Sequence, residues 1–594
     1  MTRIAIVADA ADRLPEPSAL PKGTTLHTRA QLDAVQRELR AHPGVSVLIY
    51  DQVCATEKRR RRKRGKLAQP ARSVVINEQV WENCGDCSTQ SGCIAIEPID
   101  TVLGRKRRIN PTACNVDLSC LKGFCPSFVT IAGAPRAPDA DPHWAAQEAT
   151  LAAALPHPAL PTATPWRALF AGIGGGGIVT SGAILAMAAH LEGRQVSTLD
   201  FTGLAQKNGA VVAHVQIGGP IDAPAELDVV RIPLGTADLM LAADLAVAAG
   251  AGVLERNAPR AAVIGNLDLA ATAEFKRNAA LPIDAALHRR VIERTTDPRA
   301  SIYLHGVRLA ERLFGNAQAM NTLLLGLAWQ RGLIPVGEAA ILRSIELNGA
   351  AVQTNLRAFL WGRILAEQPA LIEQILTNTI VSSPNTLEAL IETRITALTA
   401  YQSRRYAARY RALIEQVMAR ETAVFGQPGL LSRAAAEGLH RVMAYKDEYE
   451  VARLHAATAY GERPVFHLSP PLVNRIDPAT GRRGKVAIPG WLALPLFRVL
   501  RHGKHLRGTR LDLFGRQSER VWERALIGQY AADLRTAMAV LRPDTLETAV
   551  SLAELPDQIR GFGPVKQANR AKAEARRKRL LESLQAPALA VAAE

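Results

Sequence analysis

Six of the seven cysteines in this 594-residue chain fall between Cys84 and Pro126, and only Cys54 lies elsewhere. Thiols concentrated in so short a stretch point to a bound metal. The stretch reads Cys84-Gly-Asp-Cys87, then Cys93, a basic insert Gly104-Arg-Lys-Arg-Arg108, and finally Cys114, Cys120 and Cys125-Pro126. A C-x2-C pair with a distant Cys-Pro is a pattern that holds [4Fe-4S] cubanes, thiolates from two chain segments meeting at one cluster. Zinc also accepts C-x2-C, but zinc ribbons usually repeat that pair, whereas here the second group is spaced by five and then four residues. Pro126 adds weight to iron. One cubane takes four thiolates and two take eight. Spacing therefore leaves Cys84, Cys87, Cys93, Cys114, Cys120 and Cys125 all as candidate ligands of one cluster, with two to spare.

With 48% hydrophobic residues over this length the chain can bury several cores, and three or four domains are expected. The N-terminus, Thr2-Arg-Ile-Ala-Ile-Val-Ala-Asp9, reads as a short strand rather than a secretory leader, which places the chain in the cytoplasm, where reduced cysteines fit. The uncharged run Ala168 to His190 is long enough for a membrane span, but Gly174 to Gly177 interrupts it, and a strand-turn-helix is expected instead. A formal charge of +17 invites an acidic partner or a nucleic acid. The run Lys58 to Lys66 is almost wholly basic, yet no aromatic residue interleaves with it to stack on bases. Nucleic acid is thereby disfavoured, and a solvated linker, or a run that packs on acidic neighbouring domains, is at least as good a reading of the basic residues. Arg105 to Arg108, inside the cysteine stretch, would offer a basic surface to a small acidic electron carrier.

Taken in order, residues 1–55 show strands at Ile4 to Ala8 and Val45 to Tyr50 flanking a helical pattern near Ala30 to Leu39, a βαβ-type unit. A parallel pair must be covered on both faces, so this is the end of a larger α/β domain. Cys54 reads as a half-buried thiol. Residues 56–77 form a basic linker and 78–130 the metal segment. Residues 131–165 are rich in Ala and Pro (Pro135, Pro138, Pro142, Pro156, Pro158, Pro161, Pro165) and read as an interdomain linker. Residues 166–365 form an α/β domain, opening with Leu169-Phe-Ala-Gly172, a glycine turn, a helix to about Glu192 and a strand Val196 to Asp200. Further strands are expected at Val211 to Ile217, Ala243 to Ala249 and Ala261 to Ile264, and a helix from Glu338 to Leu347 capped by Asn348-Gly349. Gly172, Gly174 and Gly177 satisfy G-x-G-x-x-G, and Asp200 stands where a ribose-binding acid would. Close packing of strand on helix is the first reading of these glycines, and an anion held by backbone amides the second. His214, on a predicted strand, reads as a core residue. Residues 366–594 are mainly helical, with Leu387, Leu390, Ile391, Ile395 and Leu398 at helical spacing, loops at Pro470-Pro471 and Ile488-Pro-Gly-Trp491, and a basic terminal helix from Lys566 to Leu584.

Several strings carry a resemblance. Val47-Leu-Ile-Tyr-Asp-Gln52, Cys84-Gly-Asp-Cys87, Gly123-Phe-Cys125-Pro-Ser-Phe128, Phe170-Ala-Gly-Ile-Gly-Gly175, Leu204-Ala-Gln-Lys207, Asn348-Gly349 and Met443-Ala-Tyr-Lys-Asp-Glu-Tyr-Glu-Val-Ala-Arg453 span nearly the whole chain. Together they resemble indolepyruvate ferredoxin oxidoreductase, of the 2-oxoacid:ferredoxin oxidoreductase family. The resemblance implies oxidative decarboxylation of an arylpyruvate on thiamine diphosphate with Mg, coenzyme A taking the acyl group and electrons leaving through a [4Fe-4S] cluster to ferredoxin. It implies a multidomain α/β protein: a truncated α/β N-terminal unit that is the tail of a thiamine-diphosphate-binding domain, a ferredoxin-like iron-sulfur segment, a Rossmann-like α/β gamma domain that does not use its glycine turn for NAD, and a mainly helical C-terminal domain. The chain has no Gly-Asp-Gly, so the thiamine contacts would lie mainly on a thiamine-binding subunit or an upstream part of the same enzyme, in an oligomer. Gly172, Gly174 and Gly177 would be candidates for coenzyme A phosphates. Asn208 stands where the first glycine of a Gln-Lys-Gly-Gly string is expected. Two other readings stay open: an NAD-dependent dehydrogenase with an iron-sulfur relay that uses Asp200, and a zinc-stabilised nucleic-acid-binding protein that uses Lys58 to Lys66.

Overall fold

Parallel pairing shapes the start of the chain. In the computed structural model, which describes residues 3–9, 13–111, 113–133, 140–203, 209–224, 226–270, 284–377, 386–469 and 484–585, the chain divides into two units at 70/71. The first unit holds β1 (Arg3–Ala8), β2 (Thr24–Thr28) and β3 (Ser46–Asp51) in a parallel sheet of order β2-β1-β3. Helix α1 (Leu32–Ala41) buries Val35 against Ala5 and Val7, with Leu32, Leu39 and Leu48 around them. β2 is not evident in the sequence because Thr-Thr-Leu-His-Thr has no apolar alternation. Residues read as a basic linker begin instead with helix α2 (Ala55–Lys63), and Cys54 before it is exposed rather than half-buried.

The second unit opens with the cysteine segment. β4 (Arg72–Ile76) and β7 (Phe128–Ala132) pair antiparallel and close the segment at its two ends. Between them lie α3 (Asp86–Ser91) and a hairpin of β5 (Ile96–Thr101) and β6 (Gly104–Ile109).

The stretch read as a Pro/Ala linker contains α4 (Pro142–Ala152). Pro142 starts this helix rather than breaking it, because Asp141 accepts the His143 N–H as N-cap and proline is tolerated at the first helical position. Trp144 of α4 packs edge-on against Trp361 at 6.2 Å, and Glu148 accepts from the Trp361 indole and Arg357, so α4 belongs to the following core. That core surrounds a six-stranded sheet of order β13-β12-β11-β8-β10-β9. Its strands are β8 (Trp166–Ile173), β9 (Arg194–Thr202), β10 (Ala210–Pro220), β11 (Ala237–Ala242), β12 (Asn257–Asn266) and β13 (Ile302–Leu304). β10 runs antiparallel to both β8 and β9 while β8, β11, β12 and β13 are parallel, so the Rossmann-like expectation is corrected to a mixed sheet. The strand expected at Ala243 to Ala249 lies earlier, in β11. There Asp244 accepts the Ala246 and Val247 N–H groups and starts a short helix, Leu245–Ala248, which an Ala/Val-rich run does not reveal by periodicity.

Helix α5 (Ile178–Leu191) follows the glycine turn, and among the described residues no helix is long and apolar enough to cross a membrane. Helices Met320–Gln330 and Val352–Glu367 cross at near backbone contact: a Cβ on Gly326 would lie 2.0 Å from the Phe359 carbonyl oxygen, and one on Gly362 2.1 Å from that of Leu323. Ile375 and Leu376 share this core, which extends the domain past 365.

The remainder is mainly helical. Helices Leu387–Tyr401, Arg404–Phe425, Leu430–Met443 and Ser518–Ala539 share a core around Tyr410, Ile414, Leu439 and Leu534. It also contributes β14 (Val465–Leu468) and β15 (Val486–Pro489), which extend the cysteine segment's sheet to the order β15-β14-β7-β4. Ile488-Pro-Gly-Trp491, read as a loop, ends β15 and starts helix Gly490–Leu500. Pro135, Pro138, Leu204 to Lys207, Asn208 and Pro470-Pro471 lie outside the described residues.

Candidate metal centre

The two halves of the cysteine motif are held together by an acid between the first two thiols. Gly85 turns the chain in the left-handed region at φ 78°, which glycine adopts without a Cβ clash, so that α3 begins at Asp86. Asp86 is 6% exposed, and its Oδ2 accepts the Phe124 N–H at 2.6 Å, tying Cys84-Gly-Asp-Cys87 to Gly123-Phe-Cys125. A side chain on Gly123 would meet the Cys87 Cα at 3.0 Å, so the approach needs glycine. Cys87, Cys120 and Cys125 are buried with Trp81, Ile96 and Phe128, Cys93 packs against them, and Cys84 and Cys114 are half-buried. All six are free thiols.

Burial pushes the thiols of Cys84, Cys87, Cys120 and Cys125 up. Cys125 adds to the rise at Cys84 and Cys87, and Cys93, Cys114 and Cys87 add to it at Cys120, so the thiols form two neighbouring sets that meet through Cys87. Among the described residues no three His, Cys, Asp or Glu side chains form a group that would hold a metal ion. A cubane distributes its four thiolates over four irons, so the fit rests on the donor set and its charge. Two cations adjoin the thiols. Lys485 donates to the Cys125 carbonyl at 2.8 Å. Arg107 is 1% exposed with its guanidinium 5.7 Å above the Trp81 ring; burial pulls it down to about 10 and Cys87 draws it back up. Neutral thiols oppose no charge, whereas thiolates binding a cluster would offset both cations. The residues present fit an anionic thiolate-bound cluster.

Residues far along the chain complete the walls. His455, fully buried, donates from Nε2 to the Pro126 carbonyl at 3.2 Å, leaving Nδ1 to accept from the Tyr460 hydroxyl at 2.6 Å. Phe562 packs against the cysteine core, and a Cβ on Gly561 would lie 3.0 Å from that of Cys84. The sequence reading assigned none of these residues a role, and no local signal marks them.

The basic hairpin packs on acidic neighbours, the other reading of the basic runs, and forms a wall. Lys106 donates to the Trp81 carbonyl at 3.1 Å, and Arg108 reaches Glu97 at 2.7 Å and Glu311 at 3.4 Å.

At the glycine turn, a Cβ on Gly172 would strike the Ile178 side chain and Ala243. The Gly174 N–H donates to the Gly209 carbonyl at 2.7 Å, the Gly176 N–H donates to the Ile173 carbonyl at 3.0 Å, and Gly177, at φ 93°, is the N-cap of α5. The geometry supports close packing at Gly172 and engages the Gly174 amide within the chain. Asp200 is exposed on β9 opposite Ala213 of β10, which in turn pairs with Phe170, so it lies two strands from the glycine turn's strand. A ribose acid belongs on the neighbouring strand, and the NAD reading loses its second residue. His214 is 2% exposed, accepts the Ile232 N–H at 3.1 Å and is pulled by burial, with Arg256 and Arg231, down to about 4. It is a satisfied core residue.

Residues 167–364 match the family described as pyruvate ferredoxin/flavodoxin oxidoreductase, and residues 387–579 match a family of unknown function (DUF6537). A stretch of 77 residues is 43% identical to "Indolepyruvate oxidoreductase subunit IorB" of Archaeoglobus fulgidus, covering 13% of this chain and 35% of that subunit. The chain thus spans about a third of that curated relative's length. Similar solved structures include the gamma subunit of a keto/oxoacid ferredoxin oxidoreductase from Geobacter sulfurreducens, 19% identical over 34% of this chain and 99% of that one with a TM-score of 0.25. Another is pyruvate oxidoreductase subunit PORC from Thermotoga maritima, 18% identical over 34% and 95% with a TM-score of 0.24. The match to the pyruvate ferredoxin/flavodoxin oxidoreductase family thus falls on the domain built around the six-stranded sheet.

Proposed function

From that family match in the middle of the chain, we propose that the protein is the iron-sulfur and gamma-domain part of an indolepyruvate-type 2-oxoacid:ferredoxin oxidoreductase. The observation that supports this reading is the packing of Cys87, Cys93, Cys120 and Cys125 in one core, with Lys485 and Arg107 beside it, in the same unit as the family-matched domain. A [4Fe-4S] cluster, when bound, would supply one-electron transfer to ferredoxin. Cys84, Cys87, Cys93, Cys114, Cys120 and Cys125 are the residues that would hold it. Asp86 fixes the spacing of the two thiol segments, Lys485 and Arg107 offset thiolate charge, and Phe128, Trp81 and Phe562 exclude water from the sulfurs. The glycine turn packs β8 on α5. Thiamine diphosphate with Mg would be held mainly by a partner subunit, coenzyme A would accept the acyl group, and each arylpyruvate oxidised would release carbon dioxide and two electrons.

The test is iron, sulfide and zinc content with a visible spectrum on anaerobically purified protein, before and after dithionite. About four irons per chain with an absorbance that bleaches on reduction is the expected result, absent in C87S and C125S and intact in C54S. Turnover with the thiamine-binding partner should then favour indolepyruvate over pyruvate and 2-oxoglutarate. Zinc without a visible chromophore would overturn the redox role of this chain.

A further inference from the structure

A cavity of about 1080 Å3 opens between the β5–β6 hairpin and the helical domain, and nothing in the proposed electron transfer uses it. Its walls carry nine lysines and arginines against seven carboxylates. Several of these cations meet an acid: Lys446 meets Glu82, Arg560 meets Asp557, Lys566 meets Glu523 and Arg453 grips Glu450 with two hydrogen bonds. Arg394 differs. It stands on helix Leu387–Tyr401, is 6% exposed, and its Nε has no hydrogen-bond partner among the described residues. A buried guanidinium without a bonded partner destabilises the fold that contains it, which is the mark of a group kept for a ligand.

His440, on helix Leu430–Met443, lines the same cavity, and its Nε2 likewise has no partner among the described residues. Burial, reinforced first by Arg394 and then by Arg441, Lys106 and Lys446, holds its imidazole well below the usual value. Neutral His440 therefore presents an uncharged ring to a space lined by cations and carboxylates alike. Lys106 reaches that space from the hairpin.

The geometry points to a binding site for a small organic oxyanion, a phosphate- or carboxylate-bearing ligand held by the Arg394 guanidinium with His440 and Lys106 beside it. A guanidinium fork matches the paired oxygens of either group. The volume suits a metabolite rather than a macromolecule. The ligand would rest against Trp81, which packs in the cysteine core. The inference stands apart from the redox role, since Arg394 and His440 stand on helices of the helical domain, outside the cysteine segment.

Calorimetric titration of the full-length chain with sodium pyrophosphate, and separately with citrate, tests the site. One saturable equivalent per chain is expected for at least one probe; tighter pyrophosphate assigns phosphate, and tighter citrate assigns carboxylate. R394Q should weaken that probe at least ~10-fold, R394K should restore part of the loss, H440Q should weaken it less, and R343Q on an exposed helix face should change nothing. Without probe, R394Q should melt at or above the wild-type temperature, because a buried charge has been removed. Failure of both probes to saturate in the millimolar range, equal binding in wild type, R394Q and H440Q, or a lower melting temperature for R394Q without probe would each overturn the site.

Discussion

The protein has two basic segments of similar composition and opposite fate. In the first unit, α2 places a nearly unbroken basic run around a helix, which cannot bury every side, so Arg60 and Arg61 are 60% and 53% exposed with Glu57 as their shared partner at 3.9 and 3.1 Å. In the second unit, the hairpin sets its cations against a partner strand. Arg105 lies opposite Asp100 and Arg108 opposite Glu97, at 3.4 and 2.7 Å, while Arg107 enters the cysteine core. Charge along a sequence thus says little about where it ends. What lies across the strand or beneath the helix decides.

If the second unit uses buried cations as structure, the largest loss belongs to the pair with the fewest escapes. Arg507 donates to both oxygens of Asp447 at 2.6 and 2.8 Å and to the Tyr401 carbonyl at 2.6 Å, with both side chains of the pair nearly fully buried. R507A leaves the Asp447 charge buried and unpaired, and denaturant unfolding should show a loss of about 3–5 kcal/mol. This expectation is the opposite of that for Arg394, and the two arginines together separate a structural cation from a binding one.

Acid provides the next effect. Burial holds His455 at about 4, below its ordinary 6.5. The unfolded chain takes up the proton as pH falls through 6.5 and the folded chain does not until about 4, so stability present above pH 6.5 declines through that window, by up to about 1.4 kcal/mol per pH unit for one histidine. H455Q should lessen the decline between pH 6.5 and 5 by that share, leaving the part that His214, His440 and His467, also held low, contribute. An unchanged slope would place the acid sensitivity elsewhere.

Local chemistry explains which parts of this protein were legible. The cysteine segment announced itself because its motif is contiguous, and Asn348-Gly349 was found as a cap because Gly349 must take φ 68°. Helix α4 was hidden because Pro142 looks like a breaker until Asp141 is seen to cap it. The antiparallel insertion of β10 depends on sheet order, which no strand pattern encodes. The same holds for the walls of the cysteine core: Lys485, His455 and Phe562 lie more than 300 residues from the thiols they cover, and each looks ordinary in its own neighbourhood.

The smallest effects sharpen the comparison most directly. Arg108 bridges Glu97 of its own hairpin and Glu311 of helix Gly306–Phe314, but about a third of its side chain meets water, so R108Q should cost only about 1 kcal/mol. The double variant R60Q/R61Q on α2 should stay within about 0.5 kcal/mol of wild type, since both side chains are mostly solvated and share one carboxylate. Added salt distinguishes the two cases, because screening reaches exposed charges before half-buried ones. In 1 M sodium chloride, where the screening length is about 3 Å, the α2 effect should vanish while part of the Arg108 effect persists. If both vanish together, the hairpin is no more a wall than the helix.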